Sequence, residues 1–156
     1  MERKLENYEQ VKDKALRLLA FRSHSEKELC DKLLRAGADR NDIEKVLDFC
    51  LRYNFVNDLQ YAKGKAKDLK NLKKYGRRRI EAELYAKGIS SEYIAEALSE
   101  LDFEDTDTLM ALVEKKLSGD FEKKSIDRCI RYFMYRGYDL SQIKECIDVL
   151  KSRSEE

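Results

Sequence analysis

Apolar positions recur along the chain with the spacing of helix faces, and the same arrangement occurs three times. Alignment on Gly37, Gly88 and Gly137, which are 51 and 49 residues apart, places apolar side chains at the same offsets in each copy. The offsets before the glycines hold Leu29, Ile80, Cys129, Leu33, Leu84, Phe133, Leu34, Tyr85 and Met134. The offsets after them hold Ile43, Ile94, Ile143, Val46, Leu47, Ala97, Leu98, Cys146 and Ile147. Because residues three and four apart share a helix face, the pattern predicts a tandem helical repeat.

Each aligned glycine has the features of a helix stop. A glycine just beyond a helix adopts positive φ at little cost, so it commonly ends the helix. Two residues after the three glycines come Asp39, Ser90 and Asp139, whose side chains suit the N-cap of a following helix. The sequence therefore predicts one helix before and one helix after each glycine.

A third helix-like segment precedes each pair. These segments are VKDKALRLLAF, DLQYAKGKAKDLKNL and TLMALVEKKL. Ser25 with Glu28 also fits a capping box for the second helix of the first copy. We therefore predict an all-α protein of three tandem three-helix repeats, with boundaries at 1–56, 57–104 and 105–156. Stacked repeats of this size predict an elongated, curved array of right-handed helical type.

Composition supports this fold and narrows the chemistry. Charged residues make up 40% of the chain and proline is absent, which favours helices coated with long polar side chains. The cysteines lie at or beside apolar repeat positions, so they are expected to be free core thiols: Cys30, Cys50, Cys129 and Cys146. The one histidine, His24, falls in a predicted loop and completes no metal cluster or catalytic triad. We expect no cofactor, no membrane association and a cytoplasmic monomer.

The net charge of +1 conceals a strong asymmetry. Residues 63–80 contain nine Lys or Arg and one acid, whereas residues 92–107 contain seven acids and no base. A net charge near zero argues against a protein whose whole surface binds DNA. The two runs could coat solvated helix faces and balance each other, or the basic run could bind a partner.

The basic run has helical spacing of its own. Lys63, Lys67, Lys70 and Lys74 fall on one helix face, with Tyr61, Ala62, Leu69 and Leu72 expected to pack inward on the other. We expect Gly76 to end this helix and Arg77, Arg78 and Arg79 to begin the next. Three arginines at a helix N-terminus oppose the helix dipole, which indicates a use beyond helix stability. Arginine binds carboxylate or phosphate bidentately, so either partner fits.

Motifs in the first two copies resemble the RecX family, bacterial regulators of the recombinase RecA. The first copy, ALRLLAFRSHSEKELCDKLLRAG, carries the family's opening motif at Ala15, Leu16, Leu19, Ala20, Arg22, Ser25, Glu28 and Leu29. The second copy carries Asp-x-x-Tyr-Ala at Asp58, Tyr61 and Ala62, and Lys-x-Gly-x-x-Arg-Ile-x-x-Glu-Leu from Lys74 to Leu84. Its closing Lys-Gly-Ile is Lys87, Gly88 and Ile89. The third copy lacks a clear Asp-x-x-Tyr-Ala and follows by repeat spacing.

The resemblance implies a regulator that lies in the groove of the RecA filament on single-stranded DNA. Such a protein is not an enzyme; it would lower the ATPase, strand-exchange and co-protease activities of RecA and so regulate recombination and DNA repair. The expected binding residues are Lys63, Lys67, Lys70, Lys73, Lys74, Arg77, Arg78, Arg79 and Lys87. The motif residues Asp58, Tyr61, Gly76 and Gly88 are expected to be structural. A weak direct contact with DNA is part of the same expectation. The alternatives are a RecA-independent helical DNA-binding module and a generic helical protein-interaction adaptor.

Overall fold

A computed structural model describes residues 5–156 of the protein. Over that range the chain forms nine α-helices and no strand, which confirms the predicted all-α repeat architecture. The helices are α1 Tyr8–Phe21, α2 Glu26–Arg35, α3 Arg40–Arg52, α4 Asp58–Asn71, α5 Arg77–Ala86, α6 Ser91–Ser99, α7 Asp107–Leu117, α8 Lys123–Tyr135 and α9 Leu140–Ser154. Over the same residues, no helix is long and apolar enough to cross a membrane.

The three aligned glycines end α2, α5 and α8 in the same way. Gly37, Gly88 and Gly137 have φ of 90°, 79° and 100°. At each one the glycine N–H and the following N–H donate to carbonyls of the last helical turn, the double bond of a Schellman motif. The predicted stops are therefore confirmed, together with the geometry that makes glycine favourable there.

The caps predicted from sequence are confirmed at most positions. Ser25 and Glu28 form the full capping box of α2. Asp39 accepts from the Asn41 N–H, and Ser90 accepts from the Tyr93 N–H. Asp139 occupies the N-cap position of α9, but its carboxylate makes no cap hydrogen bond. It is instead paired with an arginine side chain, described below.

The apolar pattern was correct at most offsets and wrong at one. The side chains eight and four residues before the glycines are buried, as are those after them. Leu34, Tyr85 and Met134 are 38%, 76% and 44% exposed, although they were expected on the same stripe. At 100° per residue, these positions lie about 100° away from the buried side chain one residue earlier, which turns them towards solvent.

The helices are distributed over two compact units, each with its own core. One unit extends to Lys65 and includes Leu84–Ala97, and the other holds Ala66–Glu83 and Leu98–Glu156. The first has a core built from α1 to α3, with Leu29, Leu33 and Val46 fully buried. The second has a core built from α7 to α9 around Phe133. The three helices of the middle repeat each contribute residues to both units.

Three of the four cysteines are buried in these cores. Cys50 belongs to the first core, and Cys129 and Cys146 belong to the second. Cys30 is partly buried, and all four thiols are free. Burial raises the pKa of the Cys50, Cys129 and Cys146 thiols, which keeps them in the unreactive protonated form. The prediction of core thiols is confirmed for these three.

Candidate functional site

The lysine stripe of the middle repeat is shorter than the sequence predicted. Helix α4 carries Lys63, Lys67 and Lys70 but ends at Asn71, so Lys74 lies in the following loop with a φ of 59°. Leu72, expected to pack inward, is 76% exposed. Gly76 likewise does not end α4; it directly precedes α5.

Tertiary hydrogen bonds hold the loop that follows α4. The carbonyl of Lys73 accepts a hydrogen bond from the Arg136 guanidinium, and the carbonyl of Lys74 accepts one from the Tyr138 hydroxyl at 2.7 Å. The loop that carries Lys73 and Lys74 is therefore held by groups of the α8–α9 turn, while both lysine side chains are exposed.

Gly76 is required for close packing. A Cβ at this position would lie 2.5 Å from the carbonyl carbon of Gly137, a distance that real Cβ atoms essentially never show. The Gly76 N–H donates to the Arg136 carbonyl at 2.9 Å, and the Arg78 N–H donates to the Gly137 carbonyl at 3.1 Å. The start of α5 therefore packs directly on the backbone of the α8–α9 turn.

The three arginines begin α5 as predicted, and each has a carboxylate partner. The pairs are Arg77 with Glu81, Arg78 with Asp139 and Arg79 with Glu83, each at 3.0 Å. The Arg78–Asp139 pair joins the start of α5 to the start of α9. The Arg79 side chain is only 24% exposed. Its guanidinium lies 4.7 Å from the centre of the Tyr75 ring and 4.9 Å from that of Tyr135, and it donates to the Tyr135 carbonyl. Much of the charge at this turn thus has an intramolecular use.

The first unit holds a second arginine–lysine–carboxylate cluster, centred on Glu28. Arg22 lies 2.9 Å and Lys87 lies 3.3 Å from Glu28 Oε2, and Ser25 N–H donates to Oε1. Tyr61 also hydrogen-bonds this carboxylate. Burial raises the pKa of the Glu28 carboxyl, but these hydrogen bonds and the Lys87 charge outweigh burial and lower its pKa to about 2.

Two further contacts extend this cluster to the motif residues. Asp58 Oδ1 accepts from the Glu26 N–H at 2.8 Å, so the carboxylate that begins α4 also satisfies a free donor at the start of α2. Ser25 Oγ donates to the Lys87 carbonyl at 2.7 Å. A Cβ on Gly88 would lie 2.6 Å from Lys27 Cβ. In the first unit, as in the second, the start of a middle helix therefore packs closely on the glycine turn of the next repeat.

His24 is a buried structural residue. It lies in the α1–α2 loop with 2% of its surface exposed. Its Nδ1 is 2.9 Å from the Arg22 carbonyl and its Nε2 is 2.8 Å from Lys32 Nζ. These partners require a neutral ring that donates from Nδ1 and accepts at Nε2. Burial lowers the pKa of His24, and the charges of Arg22 and Lys32 act in the same direction.

Part of the acidic run faces part of the basic run. A cleft of about 140 Å³ in the second unit has basic residues from the end of α4 and the start of α5 on its wall, together with the segment 102–105. The centre of the Phe103 ring lies 5.7 Å from the Arg77 guanidinium and 5.9 Å from the Lys70 ammonium. Asp102, Glu104 and Asp105 line the same cleft. The second half of the acidic run therefore helps to balance the basic residues.

The predicted binding set divides into paired and outward-facing cations. Lys63 lies 4.0 Å from Glu96, and Lys70 lies over the Phe103 ring. Lys87 and the three arginines have the partners given above. Lys67, Lys73 and Lys74 are exposed and, among residues 5–156, show no ion pair. Those residues also contain no group of three or more His, Cys, Asp or Glu that could hold a metal ion. The sequence could not reveal that Arg136, Tyr138 and Asp139 hold the basic turn, because these groups come together only through the fold.

Comparisons with protein families and known proteins agree with the repeat. Residues 12–50 match the family model "RecX, first three-helix domain", and residues 57–98 match "RecX, second three-helix domain". The chain is 37% identical over 149 residues to Regulatory protein RecX of Clostridioides difficile, covering 93% of this chain and 70% of that protein. It is 35% identical over 134 residues to Regulatory protein RecX of Vibrio parahaemolyticus, covering 85% and 86%.

Solved structures show the same fold. The crystal structure of RecX from Lactobacillus salivarius superimposes with a TM-score of 0.79 at 22% identity, covering 92% of this chain and 96% of that chain. A second crystal structure of regulatory protein RecX superimposes with a TM-score of 0.75 at 18% identity, covering 90% and 71%.

Proposed function

Because the chain belongs to the RecX family of regulatory proteins, we propose that it binds the filament of RecA on single-stranded DNA. Binding lowers the ATPase, strand-exchange and co-protease activities of RecA and thereby regulates recombination and DNA repair. The protein acts as a non-enzymatic regulator in the cytoplasm and works as a monomer of three repeats, 1–56, 57–104 and 105–156.

The proposed binding surface rests on three exposed lysines in the middle repeat. Lys67, Lys73 and Lys74 extend into solvent, and the backbone beneath Lys73 and Lys74 is held by Arg136 and Tyr138. A fixed backbone reduces the entropy lost when the loop binds a partner. These lysines contact carboxylates of RecA or phosphates of its DNA. Arg78 and Arg79 support the same surface by holding the turn in place.

The test measures the ATPase rate of pre-formed RecA filaments on single-stranded DNA as the protein is added. We expect the wild-type protein to lower this rate and the double variant Lys73→Glu/Lys74→Glu to lose most of the effect. The matched control is Lys123→Glu/Lys124→Glu, which removes another adjacent pair of exposed lysines and changes the net charge equally. We expect the control to act like wild type.

Two results would contradict the proposal. An unchanged ATPase rate at several-fold molar excess of the wild-type protein would exclude RecA regulation and favour a generic adaptor. Equal loss of the effect in both double variants would show that net charge, rather than the basic loop, sets the interaction. Co-sedimentation with the filament distinguishes loss of binding from loss of inhibition.

A further inference from the structure

Six side chains of the second unit form a continuous series in which cations and tyrosine rings alternate. In order of contact they are Lys116, Tyr132, Arg136, Tyr75, Arg79 and Tyr135. The distances from each cation to the neighbouring ring centroid run from 4.1 to 5.6 Å. We call this series the cation–tyrosine ladder. Each inner cation is flanked by two rings, an arrangement that immobilises both guanidinium groups.

The two arginines in the middle of the ladder are hydrogen-bonded, whereas the residues towards its ends are exposed to solvent. Arg79 donates to Glu83 and to the Tyr135 carbonyl, and Arg136 donates to the Lys73 carbonyl. By contrast, Tyr135 is 74% exposed, Tyr132 is 41% exposed, and Lys116 is exposed. Core packing alone does not require large aromatic rings at the surface, because their burial is what contributes to stability. The exposed rings are therefore available to a partner.

The chemistry of the ladder selects one class of partner. An aromatic ring held at the surface can stack on a planar base, and nearby cations can contact the phosphates that connect the bases. Lys73 and Lys74 lie in the loop bonded to Arg136 and add two exposed cations to the same surface. Among residues 5–156, Glu83 is the carboxylate seen in contact with the ladder. An acidic protein surface would use the cations but would leave the tyrosine faces unused.

We propose that the cation–tyrosine ladder binds single-stranded nucleic acid by base stacking on Tyr135 and phosphate contacts from Lys116 and the loop lysines. A single strand is required because the bases of a duplex already cover each other's faces. The mode is tolerant of base sequence, since every base presents a π-face. It places the nucleic-acid contact on the third repeat and on the loop that precedes α5.

The first test measures binding of the purified full-length chain to a fluorescently labelled oligothymidylate by anisotropy. We expect Tyr135→Ala to weaken binding by about fivefold or more, the loss expected for removal of one stacked base. The matched control is Tyr85→Ala, which removes another tyrosine of similar exposure, 76%, outside the ladder. We expect this control to bind like wild type. Tyr135→Phe keeps the ring and should retain most of the affinity.

The second test addresses the phosphate contacts through salt dependence. Each phosphate contact on a single strand contributes about 0.7 to the slope of log K against log salt concentration. We expect Lys116→Gln to make the slope shallower by about 0.7 and Lys115→Gln, its neighbour outside the ladder, to leave the slope unchanged. Thermal unfolding of every variant checks that the fold is retained.

Three outcomes would overturn the proposal. One is unchanged oligothymidylate affinity in Tyr135→Ala while its fold is intact. Another is equal weakening in Tyr135→Ala and Tyr85→Ala. The third is binding to a duplex of the same length as tight as to the single strand, which would leave no role for stacking. A parallel series with oligouridylate is expected to show the same ranking, because uracil also presents a stacking face. These measurements contain no RecA, so they are independent of the ATPase result.

Discussion

Removal of the charge on Glu28 should strongly destabilise the protein, because this carboxylate joins four groups of the first unit. Its side chain is 9% exposed and lies between Arg22 and Lys87, with Ser25 N–H and the Tyr61 hydroxyl as further partners. In Glu28→Gln the amide keeps the shape and one acceptor oxygen. However, it removes the only negative charge between Arg22 and Lys87 and replaces charge-assisted hydrogen bonds to a largely buried carboxylate with weaker neutral ones.

The magnitude follows from the pKa of the carboxyl. A fall from 4.5 to about 2 corresponds to a stabilisation on the order of 3 kcal/mol when the group is ionised. We therefore expect Glu28→Gln to lower the free energy of unfolding at neutral pH by about 2 to 3 kcal/mol. For a chain of this size, the corresponding fall in Tm is roughly 5 to 10 °C.

The pH dependence gives a sharper assay. Since the pKa of Glu28 is lowered by folding, its contribution is complete above a pH of 4.5 and is lost as the pH falls towards 2. Urea unfolding at neutral pH and at acid pH should therefore show a gap between wild type and Glu28→Gln that narrows in acid. The control is Glu81→Gln at an exposed pair with Arg77, with an expected change below about 0.5 kcal/mol. A gap that stays constant with pH, or no gap at neutral pH, would refute this reasoning.

Two further predictions address other buried groups. His24 is held neutral by burial and has a lowered pKa, so the unfolded chain binds its proton more readily; stability should fall as the pH drops below about 6.5, and His24→Gln should reduce that dependence in urea unfolding. Gly76→Ala should lower the free energy of unfolding by about 1 to 3 kcal/mol, because its Cβ would meet backbone atoms of Gly137. Gly64→Ala, in α4 with no atom within 4 Å of the new Cβ, should instead raise it by about 0.5 to 1 kcal/mol.

A defined result would contradict each of these three predictions. If His24→Gln loses stability in acid as steeply as wild type does, groups other than His24 cause the pH dependence. A Gly76→Ala variant as stable as wild type would show that the α8–α9 turn can move away from the new Cβ without lowering the free energy of unfolding. Loss of stability in Gly64→Ala would show that α4 is packed at this residue.

Local patterns predicted the helices and their ends well, since a cap or a helix stop is decided by a few neighbouring residues. The Schellman turns at Gly37, Gly88 and Gly137 and the capping box of α2 required only the order of residues along the chain. The local pattern predicted the wrong role for Gly76. This residue resembled another helix stop, but α4 ends at Asn71 and Gly76 serves a backbone contact with the distant Gly137.

The candidate site, too, could be predicted only in part from local sequence patterns. The sequence predicted that the basic residues lie close together, and its motifs resembled the correct family. It did not show which of the cations make internal contacts and which face solvent. In the structure Arg79 lies between two tyrosine rings, Lys87 lies beside Glu28, and Lys73 extends into solvent. Which lysines and arginines make internal contacts depends on groups about 50 to 60 residues away, such as Tyr135 from Arg79 at a separation of 56.

Periodicity and local backbone preference were enough to define the repeat, the helix stops and most of the buried positions, because each of these depends on residues close together in the chain. The availability of a charged residue to a partner was settled by the fold instead. Charge pairing and cation–ring contacts act over a few ångströms in space, irrespective of distance along the chain. The basic turn of the middle repeat therefore has two kinds of cation. Arg78 and Arg79 bind groups of the α8–α9 turn, whereas Lys73 and Lys74 face solvent.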